Sequence, residues 1–212
     1  MRASENMGRV RALGVVVVAA MGCAAPGCTE GQLVVTSRVE SSVGRVDGTD
    51  AILAVASDGS TITAYVCGGP TTNATFSRWF HSPAGASFAA DQDGWHIEGE
   101  LGASASGVLL DPAGNRFAWR TLAASPGTSL GLYRASGPSG DGVVGAIVGP
   151  VEAASGPLPV QGAWIDARGQ RWQVTPLRPL EPEQDLRSGF GVQVVSATRS
   201  GSFWMNPFQL AN

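Results

Sequence analysis

The sequence predicts an all-β protein: an antiparallel meander, closed or nearly closed into an up-and-down barrel of about 8–10 strands, with a two-sheet β-sandwich as the alternative. Three observations carry this. Beyond residue 50, short runs rich in Val, Ile, Trp, Phe and Tyr alternate with Gly, Pro, Asp, Asn and Ser punctuation. The apolar spacing inside each run is two rather than three or four, the period of a strand and not of a helix. Short turns join consecutive runs, which favours pairing between sequence neighbours. So many strands leave costly open edges unless the sheet closes on itself.

In chain order, residues 1–22 read as an export signal. Arg2, Arg9 and Arg11 make a positive start, residues 12–20 (ALGVVVVAA) are apolar, and small residues lead into Cys23. A membrane-crossing helix needs roughly 20 apolar residues, so this run is too short to span a bilayer. Residues 23–50 are small, polar and weakly patterned and read as a flexible tether, either without regular structure or with one strand of its own, and with Leu33-Val34-Val35 as its apolar cluster. Residues 51–212 read as a single barrel-like domain.

Within that domain residues 51–57 (AILAVAS) and 61–67 (TITAYVC) form a hairpin across Asp58-Gly59-Ser60. Residues 74–80 and 86–90 follow as expected strands. Residues 94–101 (GWHIEGEL) give the cleanest pattern. Trp95, Ile97 and Leu101 share one face, and His96, Glu98 and Glu100 share the other. Residues 107–110 and 116–122 flank the turn Asp111-Pro112-Ala113-Gly114-Asn115. Runs at 130–135, 143–148, 160–166 and 171–177 continue the series, and after a charged connector two more lie at 190–196 and 203–208.

Composition narrows the function classes. All 14 basic residues are Arg, and the formal net charge is −3. Cleavage before Cys23 makes the remaining chain more acidic, because it removes Arg2, Arg9, Arg11 and only one acid, Glu5. A mildly acidic chain without basic clusters has no cationic footprint for nucleic acid. Nor does it carry a polybasic patch for a membrane surface. Gly 29 and Pro 13 make up about a fifth of the residues, short of a disordered composition, and 43% apolar residues suffice for a core.

The sequence gives little sign of chemistry. His96, Glu98 and Glu100 project from one strand face, close enough for two of them to share a metal, but no second His/Cys cluster completes a site. A solvated strand face explains the same pattern. Serines lie in turns and linkers without a nucleophile elbow. Glu98 and Glu100 share a strand, which suits them poorly to opposite sides of a sugar. No catalytic residue, metal or cofactor is assigned. Trp95, Trp119, Trp164 and Trp172 can either line a ligand cavity or fill the core of an Ala- and Gly-rich protein.

The residues Ala20-Met21-Gly22-Cys23 resemble the end of a bacterial lipoprotein signal, in which a short tripeptide of small or apolar residues precedes an acylated cysteine. Ala20 stands where that family usually has Leu, and Met21 is bulkier than usual. The resemblance implies acylation at Cys23 and attachment to a membrane through an N-terminal lipid anchor; ordinary secretory cleavage to a soluble protein is the alternative. With Cys23 lipidated, Cys28 and Cys67 remain in an oxidising compartment, where a disulfide between them makes the count even. Its loop of about 40 residues would be worth roughly 4 kcal/mol. The alternative is a buried Cys67 and a free Cys28.

The fragments Ala64-Tyr65-Val66-Cys67-Gly68-Gly69, Gly131-Leu132-Tyr133-Arg134-Ala135 and Gly162-Ala163-Trp164-Ile165-Asp166, in that order, resemble a group of uncharacterised exported β-meander proteins of GC-rich bacteria. That likeness implies export and a meander but no activity. Tyr65-Val66-Cys67 alone is similar to a strand of the lipid-anchored periplasmic inhibitors of lysozyme. The function expected is that of an exported, lipid-anchored cell-envelope β-domain with a binding or structural role, acting on an envelope protein or a small molecule. An envelope hydrolase built around His96 and a lysozyme-inhibitor-like protein are the alternatives.

Overall fold

The computed structural model describes residues 40–102, 104–123, 129–149 and 156–208. The expected signal, Cys23, Cys28 and the first part of the tether lie outside the described residues.

The first sheet comprises β1 (Glu40–Val46), β2 (Ile52–Ser57), β3 (Thr61–Cys67), β4 (Arg78–Pro83), β5 (Ser87–Gln92), β6 (Trp95–Glu100), β7 (Ser106–Leu110) and β8 (Arg116–Ala123). The second comprises β9 (Gly131–Ser136), β10 (Val143–Val148), β11 (Val160–Ile165), β12 (Arg171–Pro176), β13 (Phe190–Val195) and β14 (Ser200–Pro207). Every ladder among the described residues is antiparallel, and each strand pairs with its sequence neighbour except where a sheet closes or breaks.

The all-β, up-and-down architecture is therefore present, as one closed barrel and one nearly closed barrel-like sheet where one barrel was expected. The six strands β9–β14 form a closed barrel, with β14 returning to β9. The eight strands β1–β8 form a sheet in which β1 pairs with β8, so that it curls back on itself. Its remaining break lies between β4 and β5, which pair only with β3 and β6 respectively. The turn residues are similar within and between the two barrels, which is why the runs alone did not divide them.

Two local expectations change. β1 falls inside the segment read as tether, because pairing with both β2 and β8 secures a run too polar to stand out as a strand. Residues 74–76, read as strand, belong to the helical turn α1 (Asn73–Phe76), and β4 starts only at Arg78. The loop before α1 is tightly bonded: Asn73 N donates to Gly69 O at 2.8 Å and Phe76 N to Thr72 O at 2.8 Å, which winds the chain before it can extend.

Three apolar clusters hold the described residues together. The first barrel is filled by Leu53, Val55, Ile62, Phe80, Ile97, Leu109 and Trp119, among others. Trp119 fits because Gly99 and Gly107 face it: a Cβ at Gly99 would lie 2.4 Å from its ring, and one at Gly107 would lie 2.6 Å from it. The second barrel is filled around Trp164, Phe190, Val192 and Met205. The third cluster joins the barrels, with Ile52, Ala54 and Tyr65 of the first against Leu132, Ile147 and Ala163 of the second.

That third cluster explains why β2 and β10 are buried along nearly their whole length instead of on alternate residues. At its centre Tyr65 and Trp79 stack with ring centroids 4.3 Å apart. Gly145 admits them: a Cβ there would come within 2.6 Å of Tyr65 and 2.7 Å of Trp79. The Tyr65 hydroxyl donates to Gly145 O at 3.4 Å and accepts from Ala163 N at 3.2 Å. Gln161 adds a second tie, donating to Asp50 O at 3.0 Å and Cys67 O at 2.6 Å.

Candidate functional site: a cleft at the mouth of the first barrel

In an up-and-down barrel alternate turns share an end. The β3–β4 connection with α1, the β5–β6 turn and the β7–β8 turn thus gather at one mouth of the first barrel. The β11–β12 turn of the second barrel reaches the same place. Together they border a wide, open cleft of about 750 Å³ lined by Phe76, Arg78, Asp93, Trp95, Pro112 and Arg171, among others. A barrel mouth beside an interface is a common place for a ligand.

Arg78 is the unusual member. Inward positions of a strand are normally apolar, yet Arg78 is only 4% exposed. Its Nε donates to Phe76 O at 3.2 Å, Nη1 to Gln92 O at 3.4 Å and Nη2 to Thr75 O. The guanidinium lies 4.2 Å from the centroid of the Trp95 ring, a cation–π contact. Trp95 is in turn fixed edge-on by Phe76 at 4.8 Å and stacked with Phe117 at 6.4 Å. Burial pushes the Arg78 guanidinium down to about 10, helped by the like charge of Arg171 and opposed by Asp93, so it stays charged at neutral pH.

Arg171 crosses from the second barrel. Its Nε donates to Ser77 O at 2.5 Å and its Nη1 to Gly169 O at 2.9 Å, while Nη2 lies 3.3 Å from Asp93 Oδ2. Asp93 occupies the hairpin turn before Gly94 with φ of 50°, a left-handed conformation that Asp and Asn tolerate better than most residues. Asp111, also on the rim, is engaged by its own turn, accepting from Ala113 N, Asn115 N and Asn115 Nδ2 at 2.9, 2.9 and 2.7 Å.

Of the four tryptophans named from the sequence, Trp95 borders this cleft. Trp119 and Trp164 are core residues, 2% and 1% exposed. Trp164 and Trp172 sit under Arg199, whose guanidinium lies 5.1 and 6.0 Å from their rings. Arg199 also pairs with Asp141 at 3.7 Å and with Asp166 at 3.5 Å. Burial would raise the Asp166 carboxyl, but backbone donors from Gln170 and Arg168, with Trp172 and Arg199 beside it, bring it down. This cluster ties the β9–β10, β11–β12 and β13–β14 turns together at one end of the second barrel.

His96, Glu98 and Glu100 do share the outer face of β6. His96 Nδ1 lies 2.9 Å from Asp91 Oδ1, and its Nε2 lies 3.9 Å from Glu98 Oε2; Arg116 approaches Glu98 at 3.9 Å. Glu98 and Glu100 border a shallow hollow of about 780 Å³ whose other walls are Ser, Ala, Gly, Pro, Phe and Val. Asp91 was missed, although the Asp93-Gly94 turn sets the register that places it opposite His96. Arg78 and Arg171 were missed as well. A charged residue in phase with the inward Phe80 was the available signal for Arg78; nothing local announces Arg171.

Among the described residues Cys67 is a free thiol, its expected partner Cys28 lying outside them; it is fully buried, with its Sγ within 3.7 Å of Gly68 O and accepting from Ser77 Oγ at 3.9 Å. Burial pushes the thiol up to about 12. Comparison of the chain with protein-family models, curated proteins and solved structures gives no match.

Proposed function

We propose that the chain is an exported, lipid-anchored protein of the bacterial cell envelope that works by binding, with the cleft between Trp95 and Arg171 as its binding surface. The observation that carries the binding half is the Arg78–Trp95 pair. A buried cation held on an aromatic face lines an open cleft of about 750 Å³, and both barrels contribute to its walls. The signal-like residues before Cys23 support export and the anchor. The polar strand face around His96 supports catalysis less well, because it is half-solvated and holds no activated nucleophile among the described residues.

Two measurements test the reading. Intact-protein mass spectrometry of the membrane fraction should find an acylated form beginning at Cys23, and Cys23→Ser should abolish it. A soluble form with a free N-terminus beyond residue 23 would remove the anchor and leave secretion; a full-length cytoplasmic form would remove both. For binding, a small-molecule screen read by tryptophan fluorescence should yield ligands that Ala74→Trp blocks, because Ala74 is an exposed residue on the cleft wall. Ligands indifferent to that substitution would place binding elsewhere.

A further inference from the structure

Arg78 and Arg171 together say what the cleft should recognise. A buried charge is normally paired with an opposite one, since carbonyl groups solvate it without neutralising it. Arg78 has backbone carbonyls and a ring face, and no carboxylate within ion-pair distance among the described residues. A second guanidinium, Arg171, shares the cleft, and a third, Arg168, stands on its rim. Against them are Asp93, which reaches Arg171 at 3.3 Å and is 57% exposed, and Asp111, whose oxygens serve its own turn. The cleft therefore has more positive than negative charge, in a chain that is acidic as a whole.

Both guanidiniums also keep donors. Each carries five N–H groups, and the hydrogen bonds named above use only part of either set. The apolar wall of Trp95, Phe76 and Pro112 runs beside them. Resting on the reading of the cleft as a binding surface, we propose that it takes a small organic anion: a carboxylate or phosphate group engages Arg78 and Arg171, and a small apolar body lies against exposed Pro112 and the rim of Trp95. Planar guanidiniums suit either oxyanion.

The test uses the full mature chain carrying Cys23→Ser, with benzoate, phenyl phosphate and benzamide as probes in isothermal titration. Benzoate or phenyl phosphate should bind, and benzamide, of the same shape without the charge, should not. The tighter of the two anions identifies the preferred head group. Asp93→Asn supplies the decisive arm. It keeps a residue suited to the turn while removing the internal competitor for Arg171, so anion affinity should rise by roughly five- to tenfold.

A purely structural clamp between barrels would lose stability on that substitution and gain no affinity. Equal affinity in the two proteins, or no binding by either anion to either protein, overturns the proposal. Benzamide binding as well as benzoate, in a manner blocked by Ala74→Trp, overturns it too but leaves the binding reading standing.

Discussion

Asp50 illustrates how much a single carboxylate can fix. Thr71 donates to its Oδ2 from both N, at 2.8 Å, and Oγ1, at 2.6 Å, and Thr72 Oγ1 donates to Oδ1. Burial alone would raise this carboxyl, but the hydrogen bonds prevail and hold it at about 2. An unfolded Asp titrates near 3.9, so the folded state favours the ionised form. The stabilisation is complete above that unfolded value and disappears as pH falls through the folded one. Urea midpoints of the wild type and Asp50→Asn should therefore differ by a constant amount above pH 5 and converge between about pH 4 and pH 2. A gap that persists unchanged at pH 2 would mean that the charge is not what holds the loop. None of this was legible in the sequence, where Asp50 marks only the end of a polar stretch. Its partners come from a loop 21 and 22 residues away.

At the scale of elements, strands were the legible part. Alternation in β6 and the Gly-containing turns located most boundaries within a residue or two, because a half-buried hairpin writes its period directly into the chain. β1 and α1 were not legible, since pairing on both sides made a strand of one and loop hydrogen bonds wound the other. The break between β4 and β5 was equally hidden. There the Arg78 side chain reaches across the break to Gln92 O at 3.4 Å. The unpaired edges of β4 and β5 should exchange amide hydrogens faster than β1 and β8, which are paired on both sides. Arg78→Met should accelerate exchange at residues 78–83 and 87–92 above all. Mass-detected exchange on the folded protein reads both; protection of the break equal to that of the β1–β8 ladder would show that the barrel is closed there in solution.

For the whole molecule, the decisive surface is the one between barrels. Each barrel has its own core, yet β2, β3, β10 and β11 each bury a second face in the shared cluster. The continuous apolar runs of β2 and β10 carried this information, but a run buried on both faces does not say what covers it. The two barrels should melt in one calorimetric transition. Gly145→Ala puts a methyl group where Tyr65 and Trp79 now lie, an overpacking worth roughly 1–3 kcal/mol. It should split the endotherm into two, one for each barrel. A single, lower transition would mean that neither barrel stands without the other.

The position of the break in the first barrel also has a consequence in time. A meander that stays open usually lacks the ladder between its first and last strands, the most distant pair in sequence. Here a pair of sequence neighbours is unladdered and the most distant pair is joined, down to the hydrogen bond from Thr121 Oγ1 to Ser42 Oγ at 2.8 Å, across 79 residues. One edge of β1 consequently waits for β8 to leave the ribosome, an interval of several seconds at about 5–20 residues per second. During that wait the first barrel cannot close. For the export proposed above, that strand order alone supplies an unfolded interval.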